Sequence, residues 1–210
     1  YQARVTQGAK EVPGYTLVLG TTNPQTIDIV AEEGNTAVNN VKIFYYVEDT
    51  VDIKYEVVGP DGCGTLDNYQ NNTVKVVDGT PEGSTPTASA GFKFVGWYKD
   101  KDCTQPVDEA WIENNRITPQ KTADLGNGTM GYEAATYYAK FEYDVADLTI
   151  NKQGWQAIDE NQSFIFDVTG PNGYYKRVVI QGSGSVTIKG LKVGTYSVTE
   201  VTDWSWRYKT

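Results

Sequence analysis

The chain has 210 residues, 39% of them hydrophobic, with 15 Tyr, 5 Trp, 21 Gly, a formal net charge of −9 and no histidine at all. Without histidine there is no Ser-His-Asp or Cys-His engine and no histidine-ligated metal site, and the 2 cysteines are too few for a cysteine-rich zinc site. The acidic balance with no basic block argues against a nucleic-acid partner, and no apolar run is long enough to span a bilayer.

Valine, threonine and tyrosine recur in short runs punctuated by glycine, the pattern of a mainly β protein with minor α content. The length suits two or three small domains, and three units emerge, at residues 1–47, 48–144 and 145–210. In the first, Pro13-Gly14-Tyr15 turns into a strand over Thr16–Leu19. Strands at Thr26–Val30 and Val41–Tyr46 flank a turn at Glu33-Gly34-Asn35. Residues 1–12 read equally as a short helix or a strand. The run GAKEVPGYTLV…TIDI…NNVKIFYYVED resembles the C-terminal portion of a mucin-binding-protein (MucBP-like) repeat. That resemblance implies a ubiquitin-like β-grasp of Gram-positive surface proteins.

In the second unit, Val51–Val57 alternates as a strand into the turn Gly59-Pro-Asp-Gly62, and Thr73–Val77 forms another strand before a polar loop to Gly91. GFKFVGWY, followed later by YYAKFE, resembles the internalin-type B repeat, implying a second small β-grasp known mainly as a spacer. Phe92, Phe94 and Trp97 supply bulk for a thin core. Cys63 and Cys103 lie in turn-like stretches of this unit. An even count in an extracellular-looking chain favours a disulfide between them, with two free thiols as the alternative.

In the third unit, strands read at Leu148–Lys152, Phe164–Val168, Arg177–Ile180, Ser185–Ile188 and Thr195–Thr199, with another starting at Asp203–Tyr208. LTINK…FIFDVTG…GSVTIKGLKVGTYSVTE resembles the B-type domain of collagen-adhesin and pilin stalks, a transthyretin-like (Ig-like) β-sandwich. The usual Pro-Gly-Tyr after the glutamate is replaced by Thr202-Asp-Trp-Ser-Trp206. Strand parity puts Lys152 on one face with Leu148 and Ile150, and Glu200 with Tyr196 and Val198, so both charges are expected to point inward. Unpaired, they are costly there.

In the resembled family, such a lysine condenses with an Asn or Asp on the last strand while the glutamate shuttles protons. Burial favours the neutral form of both groups, and a neutral amide product removes two buried charges. The acceptor is expected beyond Thr210, with the sandwich truncated at its last strand. The plain alternatives are a Lys152–Glu200 salt bridge or a lysine that snorkels to the strand end.

Trp204, Trp206 and Tyr208 alternate on one face and read as core residues of the sandwich, with an exposed stripe for carbohydrate or peptide binding as the alternative, and Tyr174-Tyr175, at a Pro-Asn-Gly turn, are the better candidates for exposed ligand-binding aromatics. The acidic loops at Asp100–Asp102 and Asp124–Asn127 offer weak calcium binding as an alternative, but they match no EF-hand spacing and read as solvated loops. No metal or cofactor is expected. The short acidic stretches Glu48–Asp52 and Glu142–Asp147 join the units without long Gly/Ser linkers, so a semi-rigid monomeric rod within a longer chain is expected.

The resemblances together imply a structural stalk in a secreted or cell-wall-anchored bacterial surface protein, extracellular and not an enzyme apart from self-crosslinking. The alternative is an adhesin module that binds a host glycoprotein, mucin glycan or immunoglobulin. A carboxylate-based glycan hydrolase is a lesser alternative, since nothing in the sequence marks a cleft.

Overall fold

The computed structural model of the chain describes residues 2–30, 41–154 and 158–202. Among the described residues the protein is mainly β. Helical structure there consists of short 3-10 turns at Glu109–Trp111 and Pro171–Gly173. No helix among the described residues is long and apolar enough to cross a membrane. Contacts divide the chain into two compact units that interleave in sequence. One comprises Tyr1–Val58, Leu66–Thr87 and Gly96–Lys140; the other comprises Gly59–Thr65, Ala88–Val95 and Phe141–Thr210. The boundaries expected after residues 47 and 144 fall inside these units rather than between them.

The chain opens with β1 (Gln2–Gln7), β2 (Tyr15–Leu17), β3 (Gln25–Val30) and β4 (Tyr46–Glu48). β1 pairs antiparallel with β3, and β2 with β4. In the stretch left open between helix and strand, Gln2–Gln7 is a strand. The strand expected over Val41–Tyr46 begins only at Tyr46. Val41, Ile43 and Tyr45 are more than half exposed, so this stretch has no buried face to reward a ladder; isolated bonds from Val18 N–H to Tyr45 O and from Gln25 Nε2 to Ile43 O tie it down instead.

Next come β5 (Thr50–Val58), β6 (Gly64–Leu66), β7 (Gln70–Lys75), β8 (Pro86–Ala88) and β9 (Phe92–Tyr98). They are followed by β10 (Ile112–Glu113), β11 (Arg116–Ile117), β12 (Ala123–Gly126), β13 (Thr129–Gly131) and β14 (Ala135–Tyr143). The main sheet has the order β7-β5-β14-β9, with β5 and β14 parallel. Alternation along β5 sends Ile53 and Tyr55 inward, both 1% exposed. Trp97 meets Tyr55 edge-on at 5.9 Å, and Tyr137 stacks on Tyr55 at 6.3 Å. Trp97 is fully buried, and its indole N–H donates to Asn115 O, so the polar end of the ring is satisfied. Phe92 and Phe94 are only half-buried.

The last stretch contains β15 (Val145–Asn151), β16 (Ser163–Thr169), β17 (Tyr175–Gln181), β18 (Ser185–Lys192) and β19 (Ser197–Glu200). β15 pairs with β18, and β16 lies between β17 and β19. Side chains of both sheets meet in one core, which includes Ile150, Phe164, Phe166, Val178, Ile188 and Leu191. Inward and outward residues alternate along β16, as a half-buried strand requires. On β19 the expected inward face holds for Glu200 but not for Val198, which is 42% exposed. Asp203–Tyr208, including Trp204, Trp206 and Tyr208, and the turn at Glu33-Gly34-Asn35 lie outside the described residues.

Candidate functional site

Lys152 follows β15 directly, and its N–H donates to Gly184 O at 2.8 Å, which fixes the backbone just past the strand end. Glu200 is the last residue of β19 and stands opposite Phe166 on β16. Lys152 Nζ donates to Glu200 Oε2 at 2.9 Å, and the two side chains are only 18% and 17% exposed. The ammonium also lies 4.5 Å from the centre of the Phe164 ring, whose face attracts a cation. Two residues 48 positions apart are thus joined by a short, largely desolvated, charge-assisted hydrogen bond at the margin of an apolar core. At this separation a proton can pass directly between amine and carboxylate. Parity along the two strands announced the pair. It did not announce Phe164, whose place over the ammonium depends on which strands of the two sheets face each other.

The expected Cys63–Cys103 disulfide is not made, and both thiols are free. Each cysteine belongs to its own hydrogen-bonded turn, Cys63 N–H donating to Pro60 O and Cys103 N–H to Asp100 O. Cys63 is buried, and Cys103 sits at a left-handed backbone position with its Sγ 3.7 Å from Lys101 O. Burial pushes both thiols above their ordinary range.

The two tyrosines singled out at the Pro-Asn-Gly turn part company. Tyr174 packs against the core beside Tyr196, with ring centres 5.6 Å apart and edge-on, and both line an open hollow of about 330 Å³ with Lys192 and Asn172. Tyr175 points outward, and its hydroxyl donates to Asp167, which also receives both arms of the Arg177 guanidinium. Those hydrogen bonds from Arg177 hold the Asp167 carboxyl down at about 2.

In the acidic loops, Asp100 and Asp124 spend their carboxylates on their own backbones. Asp100 accepts from Thr104 and Gln105 N–H, and Asp124 accepts from Gly126 N–H. No group of three or more Cys, Asp or Glu among the described residues could hold a metal ion. A second open hollow of about 490 Å³, lined by Asn71, Thr73, Lys75 and Thr80 among others, contains a single carboxylate, Glu82.

Comparison of the chain with protein-family models, with curated proteins and with solved structures returned no match.

Proposed function

We propose that this chain is part of the stalk of a bacterial surface protein, built from small β-grasp-like units and a transthyretin-like sandwich, and that Lys152 and Glu200 are its self-crosslinking pair. The observation that carries the reading is the Lys152–Glu200 contact at 2.9 Å, four-fifths buried and held over Phe164. The neutral lysine amine attacks the side-chain carbonyl of an Asn or Asp on the strand that closes the sandwich. Glu200 lends a proton to the carbonyl oxygen, takes one from the attacking nitrogen and passes it to the leaving group, and recovers the oxygen's proton as the carbonyl re-forms. The new C–N bond forms as ammonia leaves from Asn, or water from Asp, and a neutral amide replaces a buried charge pair. The acceptor comes from the resemblance alone.

Supporting the structural side of the reading, β15 leads straight from β14 with only Asp144 between them, so pulling force reaches the sandwich without a slack linker. Single-molecule extension of the protein carrying its complete closing strand tests this. A crosslinked sandwich gives no extension from the residues between Lys152 and the acceptor, where an uncrosslinked one lengthens by about 3.4 Å per residue. Full extension of that segment rejects the crosslinked-stalk reading.

A second reading, direct adhesion, is favoured by the aromatic hollow at Tyr174 and Tyr196. A host glycoprotein or glycan that protects these rings from chemical modification would support it.

A further inference from the structure

The two short acidic stretches between the strand groups are built alike. Asp49 is the single residue between β4 and β5, and Asp144 the single residue between β14 and β15. Each uses both backbone groups. Asp49 N–H donates back to Gly14 O at 2.9 Å, and its carbonyl accepts from Val76 N–H at 2.9 Å. Asp144 N–H donates back to Gly91 O at 2.9 Å, and its carbonyl accepts from Val193 N–H at 3.0 Å. Both glycines have left-handed backbones, with φ of 78° and 82°, and each precedes an aromatic residue that starts a strand, Tyr15 or Phe92. A flexible linker leaves such groups to water; here all are spent on protein partners.

The likeness continues past the aspartate. Thr50 pairs with Lys75, and Val145 with Lys192. Two residues further on, both ladders slip, between Val51 and Ile53 and between Ala146 and Leu148. The skipped residue is an aspartate each time. Asp52 Oδ1 accepts from Thr73 N–H at 3.2 Å, and Asp147 Oδ1 from Gly190 N–H at 2.9 Å. Those two donors again have left-handed backbones, φ 56° and 68°, one at a β-branched residue for which that conformation is costly. The lysine of each copy reaches the residue just before the first aspartate. Lys75 Nζ lies 3.7 Å from Glu48 Oε2, and Lys192 Nζ lies 3.7 Å from the centre of the Tyr143 ring. In sequence the copies read Asp-x-x-Asp-Ile/Leu, then Thr/Gly-Val/Leu-Lys-Val.

We propose that these are two copies of one docking joint, by which a strand group is fixed to the group before it. The joint has a defined partner: a preceding strand group that offers the carbonyl of a left-handed glycine, followed by an aromatic, beside the end of its last strand. The bulge, closed by the second aspartate, sets where the following lysine and valine meet the first. Its mechanical purpose rests on the stalk reading, but its existence does not depend on Lys152 reacting.

Amide hydrogen exchange on the intact 210-residue chain tests the joint. The Asp49, Val76, Asp144 and Val193 amides are expected to exchange at least about a hundredfold slower than in a free chain. Exchange within about threefold of the free-chain rate at either aspartate overturns the joint. The variant Asp52→Ala should speed exchange at Asp49 and Val76 and spare Asp144 and Val193. Asp147→Ala should do the reverse, and Asp124→Ala, which removes a comparable turn contact elsewhere, should move neither pair. Unchanged exchange at a variant's own joint, or equal acceleration at both, overturns the proposal. A stalk reading rejected by force extension would leave these four amides as they are.

Discussion

Replacing Glu200 with alanine strands the Lys152 ammonium against Phe164. Breaking a fully buried ion pair by removing one partner costs about 3–5 kcal/mol. Here the side chains keep 18% and 17% of their exposure, so water recovers part of that loss, and the ring still attracts the cation. We therefore expect Glu200→Ala to destabilise by about 2–3 kcal/mol, a fall in Tm of about 5–10 °C for a protein of this size. Removing both charges with apolar residues of similar shape, Lys152→Met with Glu200→Leu, should cost only about 0–1 kcal/mol, because no charge is left unpaired. Urea unfolding of the wild type, both single variants and the double variant, followed by far-ultraviolet circular dichroism, yields the coupling energy. With Lys152→Met and Glu200→Leu as the singles, each stranding one charge at about 2–3 kcal/mol, the expected coupling is about 4 kcal/mol, and a value under about 0.5 kcal/mol would show that the two side chains do not form a desolvated pair.

Trp97→Ala should destabilise the protein by about 3–5 kcal/mol in the same assay, since the ring is 1% exposed and its N–H is bonded to Asn115 O. A loss below about 1 kcal/mol would place the core of that unit elsewhere. In the native protein an alkylating reagent should modify Cys103 and leave the buried Cys63 until the chain unfolds; modification of neither until a reductant is added would restore the disulfide. The Asp167 carboxyl, held down by its hydrogen bonds from Arg177, should titrate with a midpoint at about 2 when followed by its carboxyl carbon shift. Because its folded value lies below the unfolded one, the stability it gives is present above about pH 4 and is lost as pH falls through about 2. A midpoint in the ordinary carboxylate range would mean that the Arg177 fork does not form in solution.

Strand positions with regular alternation were legible in the sequence. The periods of Val51–Val57 and Phe164–Val168 reappear as strands, because one buried face fixes the register, and Thr26–Val30 reappears as a strand paired with β1. Lys152 and Glu200 were legible for the same reason: a charge in an otherwise apolar phase stands out. Val41–Tyr46 misled, since its alternation has no core to face. The cysteines misled because an even count says nothing of the separate turns that hold them. The joints were visible only as acidic stretches. That Asp49 and Asp144 face glycine carbonyls, and that Asp52 and Asp147 close bulges, depends on contacts distant in sequence, which periodicity does not encode.

Intact-mass measurement of the protein with its closing strand present bears most directly on the proposed role of Lys152. Self-crosslinking leaves the mass short by one ammonia, or by one water for an aspartate acceptor, and Lys152→Ala restores the full mass. A wild-type protein at full mass, or a deficit that survives Lys152→Ala, would contradict that role.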